Sequence, residues 1–167
     1  MSPKPLVLSA LLVLVSLPLL VPAAQAEDCV YEDLHGEFTL TVDCEGLQNF
    51  SGNSQEMKRI WLNGPLGEIH IMEAPEPYQT VSIEELMVTL GRQWSARRNR
   101  PVESKKVGDA DALVATRKRT RVSSRTYVFK IDGQNVTARL VVLAPRAGAD
   151  AALAKLEAAF LAGFSLN

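Results

Sequence analysis

Of the 167 residues, 18 are lysine or arginine and 19 are aspartate or glutamate, so the net charge is −1, and there are two cysteines and two histidines. The length is one domain's worth, enough to bury most of its apolar surface. With no aromatics interleaved among its cations the chain is a poor partner for nucleic acid, and none is expected.

Residues 1–26 read as a signal peptide. Lys4 gives a weakly positive start, Leu6 to Val21 is apolar apart from Ser9, Ser16 and Pro18, and Ala24-Gln-Ala26 supplies small residues before a cleavage point at Glu27. The apolar run is short for a spanning helix, which needs about 20 residues, so the rival reading as an uncleaved anchor is the weaker one. The expectation is an exported chain, periplasmic or extracellular, with a single domain over 27–167 that does not span a membrane once the signal is removed.

Within that domain the charges are unevenly placed. Glu27 to Gly91 holds 13 carboxylates and 2 cations, and the chain from Arg92 onward holds 6 and 15. Such a split predicts either a dipolar molecule or two charged surfaces that neutralise each other in the fold. Cys29 and Cys44 allow one pairing, and an oxidising compartment favours a disulfide that pins the N-terminal segment to the sheet. A metal site with His35 and His70 is the rival, but neither spacing resembles a zinc motif, so no metal is expected.

Phe38–Asp43 alternates as a strand with Phe38, Leu40 and Val42 inward, and residues 46–56 read as a polar loop. Lys58–Leu62 and Glu68–Met72 are two further strands around a Gly- and Pro-containing turn. The segment Glu73-Ala-Pro-Glu-Pro77 then leaves the sheet. Residues 82–98 have the pattern of a capped helix: Ser82 with Glu85 as a capping box, Val81 with Leu86 as a staple, and Ile83, Leu86, Met87, Leu90 and Trp94 on one face. Arg97 and Arg98 suit its C-terminal end. Val102–Val107 follows, then a strand over 111–121.

Arg125–Ile131 and Gln134–Leu143 are alternating runs that flank Asp132-Gly133, a type I′ hairpin signal. That turn sets Ile131 opposite Gln134, Phe129 opposite Val136, Tyr127 opposite Ala138 and Arg125 opposite Leu140. Tyr127, Phe129 and Ile131 then face the core, with Thr126, Val128, Lys130, Thr137 and Arg139 on a wet side. After Pro145 a last helix over 150–162 is expected. Asp150 would cap it, Leu153, Leu156 and Phe160 would form its stripe, and Gly163 would close it before Phe164–Leu166 returns as an edge. The fold class is α+β: one antiparallel sheet flanked by two main helices.

Sites are scarce. The chain has no G-x-S-x-G, no triad context for either histidine and no glycine-rich phosphate loop, so no catalytic residue and no cofactor are assigned. Glu73 and Glu76, near Glu84 and Glu85, could pair carboxylates for hydrolysis. The concentrated feature is Arg117, Arg119, Arg121 and Arg125, with Lys118. On a strand, Arg117, Arg119 and Arg121 share a face and could bind an anion, an anionic surface or an acidic protein patch. Protection of a sheet edge is the plainer explanation of the same residues.

The order of elements resembles the PsbP-type α/β/α sandwich, the fold of an extrinsic photosystem subunit and of many small exported bacterial proteins. Glu68-Ile-His-Ile-Met72 before the helix at Ser82, the Tyr127–Leu143 hairpin and Phe160-Leu-Ala-Gly-Phe-Ser165 carry the resemblance, which covers most of 27–167. The N-terminal cysteine pair and residues 44–56 depart from it. The resemblance implies a non-enzymatic binding or accessory protein acting through a protein partner, and it transfers no site residue.

Overall fold

The structure is a computed structural model that describes residues 27–49, 58–94 and 102–167. Residues 1–26, where a signal peptide is expected, most of the 46–56 loop, and Arg97 and Arg98 lie outside the described residues, as does the side chain of Trp94.

The elements in chain order are β1 (Asp28–Glu32), β2 (Phe38–Asp43), β3 (Gln48–Asn49), β4 (Lys58–Gly64), β5 (Gly67–Glu73) and α1 (Ile83–Trp94). After these come β6 (Val102–Val107), β7 (Ala110–Lys118), β8 (Ser123–Ile131), β9 (Gln134–Val142), α2 (Arg146–Gly163) and β10 (Phe164–Leu166). They form two antiparallel sheets rather than the single sheet expected. Seven strands run in the order β3-β4-β5-β9-β8-β7-β6, and three run β1-β2-β10.

The hairpin of β8 and β9 has the register its turn dictates: Ile131 opposite Gln134, Phe129 opposite Val136, Tyr127 opposite Ala138 and Arg125 opposite Leu140. Asp132 and Gly133 both take positive φ, 47° and 82°, as a type I′ turn requires. The expected wet side of this hairpin is not wet. Thr126, Val128 and Thr137 are buried, because α1 lays Leu86 and Met87 against Val128 and Ala115. The central pair of strands is therefore largely buried on both faces, with a helix over each.

On the opposite face, α2 and the small sheet together close the main core. Phe38, Leu40 and Val42 point inward as their alternation predicts and join Ile69, Ile71, Tyr127, Phe129, Leu140, Leu153, Leu156 and Phe160. Cys29 and Cys44 form a disulfide. It ties β1 beside β2 in the small sheet, so what it pins is the second sheet and not the large one.

Ser82 caps α1 as expected, its Oγ accepting the Glu85 N–H at 3.1 Å. The second helix starts earlier than its pattern suggests. Pro145 occupies the N-cap, with no side-chain cap bond, and Asp150 lies one turn inside. Gly163 is not a left-handed cap either: Phe164 follows it in extended conformation. A Cβ at Gly163 would stand 1.8 Å from the Thr41 carbonyl oxygen, so the glycine lets the end of α2 lie against β2.

Candidate functional site

A shared face for Arg117, Arg119 and Arg121 requires extended chain through Arg121. The strand β7 instead ends at Lys118, and the Arg119 N–H bonds to the Val122 carbonyl at 2.8 Å, closing a turn. Arg117 sits opposite Ser124 on the α1 side of the sheet, and its Nε is buried without a hydrogen-bond partner among the described residues. Arg125 sits opposite Leu140 on the α2 side and pairs with Glu157. Lys118 reaches Asp150 of α2 at 2.7 Å. The basic run is therefore dispersed. Arg119 and Arg121 remain exposed at a tip, with no ion pair among the described residues. Ser123 pairs with Val142, so this tip lies beside the Leu143–Pro145 connection, where Leu143 is 72% exposed.

Beneath α2 lies a polar cluster that the sequence reading did not find. Glu157 is buried and accepts hydrogen bonds from the Tyr127 hydroxyl and, at 2.6 Å, from Lys105 Nζ, and it pairs with Arg125. Burial pushes the Tyr127 hydroxyl up to about 12; Arg125 draws it down and Glu103 adds to the rise. The sequence did hold a signal for this cluster. Glu157 interrupts the Leu153, Leu156, Phe160 stripe, and a carboxylate at a core position needs buried partners. With three donors on it, Glu157 fastens α2 to β6 and β8.

A second cluster joins the two sheets. The register of β4 shifts between Lys58 and Ile60, and this bulge turns Arg59 inward. Its guanidinium binds Asp33 (Nε to Oδ1, 2.7 Å) and Glu37, and lies 5.0 Å from the centre of the Phe38 ring. Burial favours the neutral form of Asp33. The Arg59 hydrogen bond and charge outweigh it, with help from the Glu37 and His35 N–H groups, so the carboxyl titrates below its ordinary range. The same carboxylates outweigh burial at Arg59 and hold its pKa above the ordinary value.

The two histidines lie apart. His35 Nε2 is 3.3 Å from Glu73, and His70 Nε2 is 2.9 Å from Glu68, with the His70 ring edge-on to Trp61. Glu73 is thus paired, and Glu76 is exposed in the turn beyond it. Among the described residues no group of three or more His, Cys, Asp or Glu side chains could hold a metal ion. An open cleft of about 570 Å³ lies between the start of α1 and Asp111 and Lys130.

The sequence holds two glycosylation sequons, Asn49-Phe-Ser51 and Asn135-Val-Thr137, and that at Asn135 is closed. The Asn135 side chain is fully buried, and its Nδ2 donates to the carbonyls of Tyr78 at 2.7 Å and Val81 at 2.9 Å. The side chain of Asn49 lies outside the described residues.

Two layers of helix and strand around a large antiparallel sheet, with a terminal Phe-Ser-Leu strand, define a PsbP-like α+β fold. Cyanobacterial PsbP (CyanoP) from Synechocystis sp. PCC 6803 is similar in structure, with a TM-score of 0.52 at 11% identity over 87% of this chain and 96% of that one. A protein from Bacteroides thetaiotaomicron VPI-5482 gives 0.50 at 14% identity, over 86% of this chain and 49% of that one. No family model and no curated protein matches the sequence.

Proposed function

We propose that this is an exported, non-enzymatic binding or accessory protein that meets an acidic protein partner through the tip formed by Arg119, Arg121 and Leu143. One observation carries the reading. Lys105, Lys106, Lys118, Arg59 and Arg125 have carboxylate partners within the fold; Arg119 and Arg121, like Arg92 and Lys155, stand exposed without one among the described residues, and these two arginines stand together beside the exposed Leu143. An exposed leucine beside two free guanidiniums offers an apolar anchor with a charged rim. The disulfide and the PsbP-like fold support export. The non-catalytic part of the reading is supported by the commitment of Glu157 and Glu73 to partners within the protein.

Affinity capture from the exporting cell tests this. The wild type is expected to retain a stoichiometric protein that Arg119→Glu with Arg121→Glu releases, in a salt-dependent manner. Equal capture by the charge-reversed variant overturns the reading. A second reading, an anionic envelope surface as the partner, is favoured by the exposure of Leu143 next to the cations. It predicts salt-sensitive retention on anionic vesicles, reduced by Leu143→Ser as well as by the arginine reversals. A hydrolase reading through Glu73 and Glu76 needs a pH–rate profile that Glu73→Gln or Glu76→Gln abolishes.

A further inference from the structure

β6 is the outermost strand at one side of the seven-stranded sheet. It pairs with β7 over all six residues with no register shift, and it contains no proline. Val102, Glu103, Ser104 and Lys106 are exposed, and Lys105 is half-buried. Among the described residues no strand pairs with its outer row of N–H and C=O groups, which another strand could take.

We propose that β6 pairs with the same strand of a second copy, antiparallel and centred on Ser104, making a two-fold dimer whose two seven-stranded sheets are continuous. The occupant follows from the charge pattern. A two-fold axis perpendicular to the sheet keeps each face on its own side, so residues set opposite each other must come from the same face. Ser104 is opposite Leu113 and shares the α1 side with Val102 and Lys106, while Glu103 and Lys105 share the α2 side. Centring on Ser104 sets each Glu103 opposite Lys105 of the other copy, and each Val102 opposite the aliphatic stem of Lys106. Centring on Lys105 or on Glu103 instead sets that charge opposite itself. Charge therefore selects one register.

The edge of the small sheet behaves differently. Full antiparallel overlap of β1 with itself, centred on Val30, sets Asp28 opposite Glu32, like against like. In β6 the residues that flank Ser104, Glu103 and Lys105, have opposite sign. A six-residue edge buries less than the roughly 1,000 Å² of a stable interface, so the association is weak and concentration-dependent.

Sedimentation equilibrium over a wide concentration range tests the pairing. The wild type is expected to dimerise reversibly, and Ser104→Pro to remain monomeric. Glu103→Lys and Lys105→Glu are each expected to weaken the dimer by about tenfold or more. An equal mixture of those two variants is expected to recover wild-type association, because the introduced charges then face each other and the native ones do too. Lys105 also binds Glu157, so a second readout does not touch it. Oxidised Ser104→Cys is expected to form a symmetric cross-linked dimer, and the equally exposed Lys106→Cys to stay monomeric. A wild type that is monomeric throughout, a mixture that recovers nothing, or Lys106→Cys linking as readily as Ser104→Cys overturns the proposal.

Discussion

Arg59 is a guanidinium in the core, and its surroundings make a sharp energetic statement. Its side chain is 3% exposed and that of Asp33 is fully buried. Removing one partner of such a pair typically costs about 3–5 kcal/mol, because the other charge stays buried and uncompensated. Asp33→Ala is thus expected to lower the denaturation midpoint severely. Asp33→Leu with Arg59→Met should recover most of that loss, since apolar replacement of a buried pair is often neutral. If the single variant unfolds at the wild-type midpoint in urea, the pair is not what joins the two sheets. The pH dependence has a definite sign. The folded Asp33 pKa lies below its ordinary 3.8, so its contribution is fully present above that value and is lost as pH falls through the folded pKa. Tyr127 acts in the opposite sense. Its hydroxyl rises to about 12 in the fold, so the stability it contributes is present below the ordinary 10.0 and lost as pH rises through 10 to 12. Ultraviolet titration should show a late tyrosine ionisation near 12, and Tyr127→Phe should remove that step.

Elements were legible where their causes are local. The turn at Asp132-Gly133 and the alternation on either side of it fix β8 and β9 down to individual pairs, and Ser82 fixes the start of α1. The second sheet had no local cause. β10 pairs with β2 through partners such as Phe164 and Leu40, more than a hundred positions apart, and β1 is five residues with no fully buried side. The site was less legible than the fold, because the face shared by Arg117, Arg119 and Arg121 depended on where β7 stops. Nothing in Arg-Lys-Arg-Thr-Arg marks that stop. The Asp150 carboxylate misled for a related reason: it has the chemistry of a cap, yet its partner is Lys118 of a distant strand. The disulfide allows a prediction at this scale. A 15-residue separation gives about 3 kcal/mol in the chain-entropy model. Replacing both cysteines with alanine should shift the midpoint by that order and raise hydrogen exchange in β1 first. Unchanged exchange in β1 would show that Asp33 and Arg59 alone hold the edge.

For the whole molecule the question is whether two sheets make one cooperative body, and Phe164 is where that can be tested. It stacks on Phe38 of the small sheet at 5.0 Å, meets Phe129 of the large sheet edge-on at 5.6 Å, and lies 5.7 Å from Phe160 of α2. Each contact belongs to a different structural unit, so the ring is shared by all three. Phe→Ala in a core costs about 3–5 kcal/mol, a large part of the roughly 5–15 kcal/mol that holds a domain folded. If the layers unfold together, Phe164→Ala should lower protection of β2 amides and of β8 and β9 amides by the same factor. Trp fluorescence and far-ultraviolet dichroism should then trace one coincident transition. If the small sheet is only a flap, β2 should lose protection while β8 and β9 keep theirs, and the transitions should separate. The first outcome is expected, because Phe38, Leu40 and Val42 are buried in one core with Phe129, Leu140 and Phe160. A sheet of three short strands whose whole inner face is spent on that core has nothing left with which to stay folded alone.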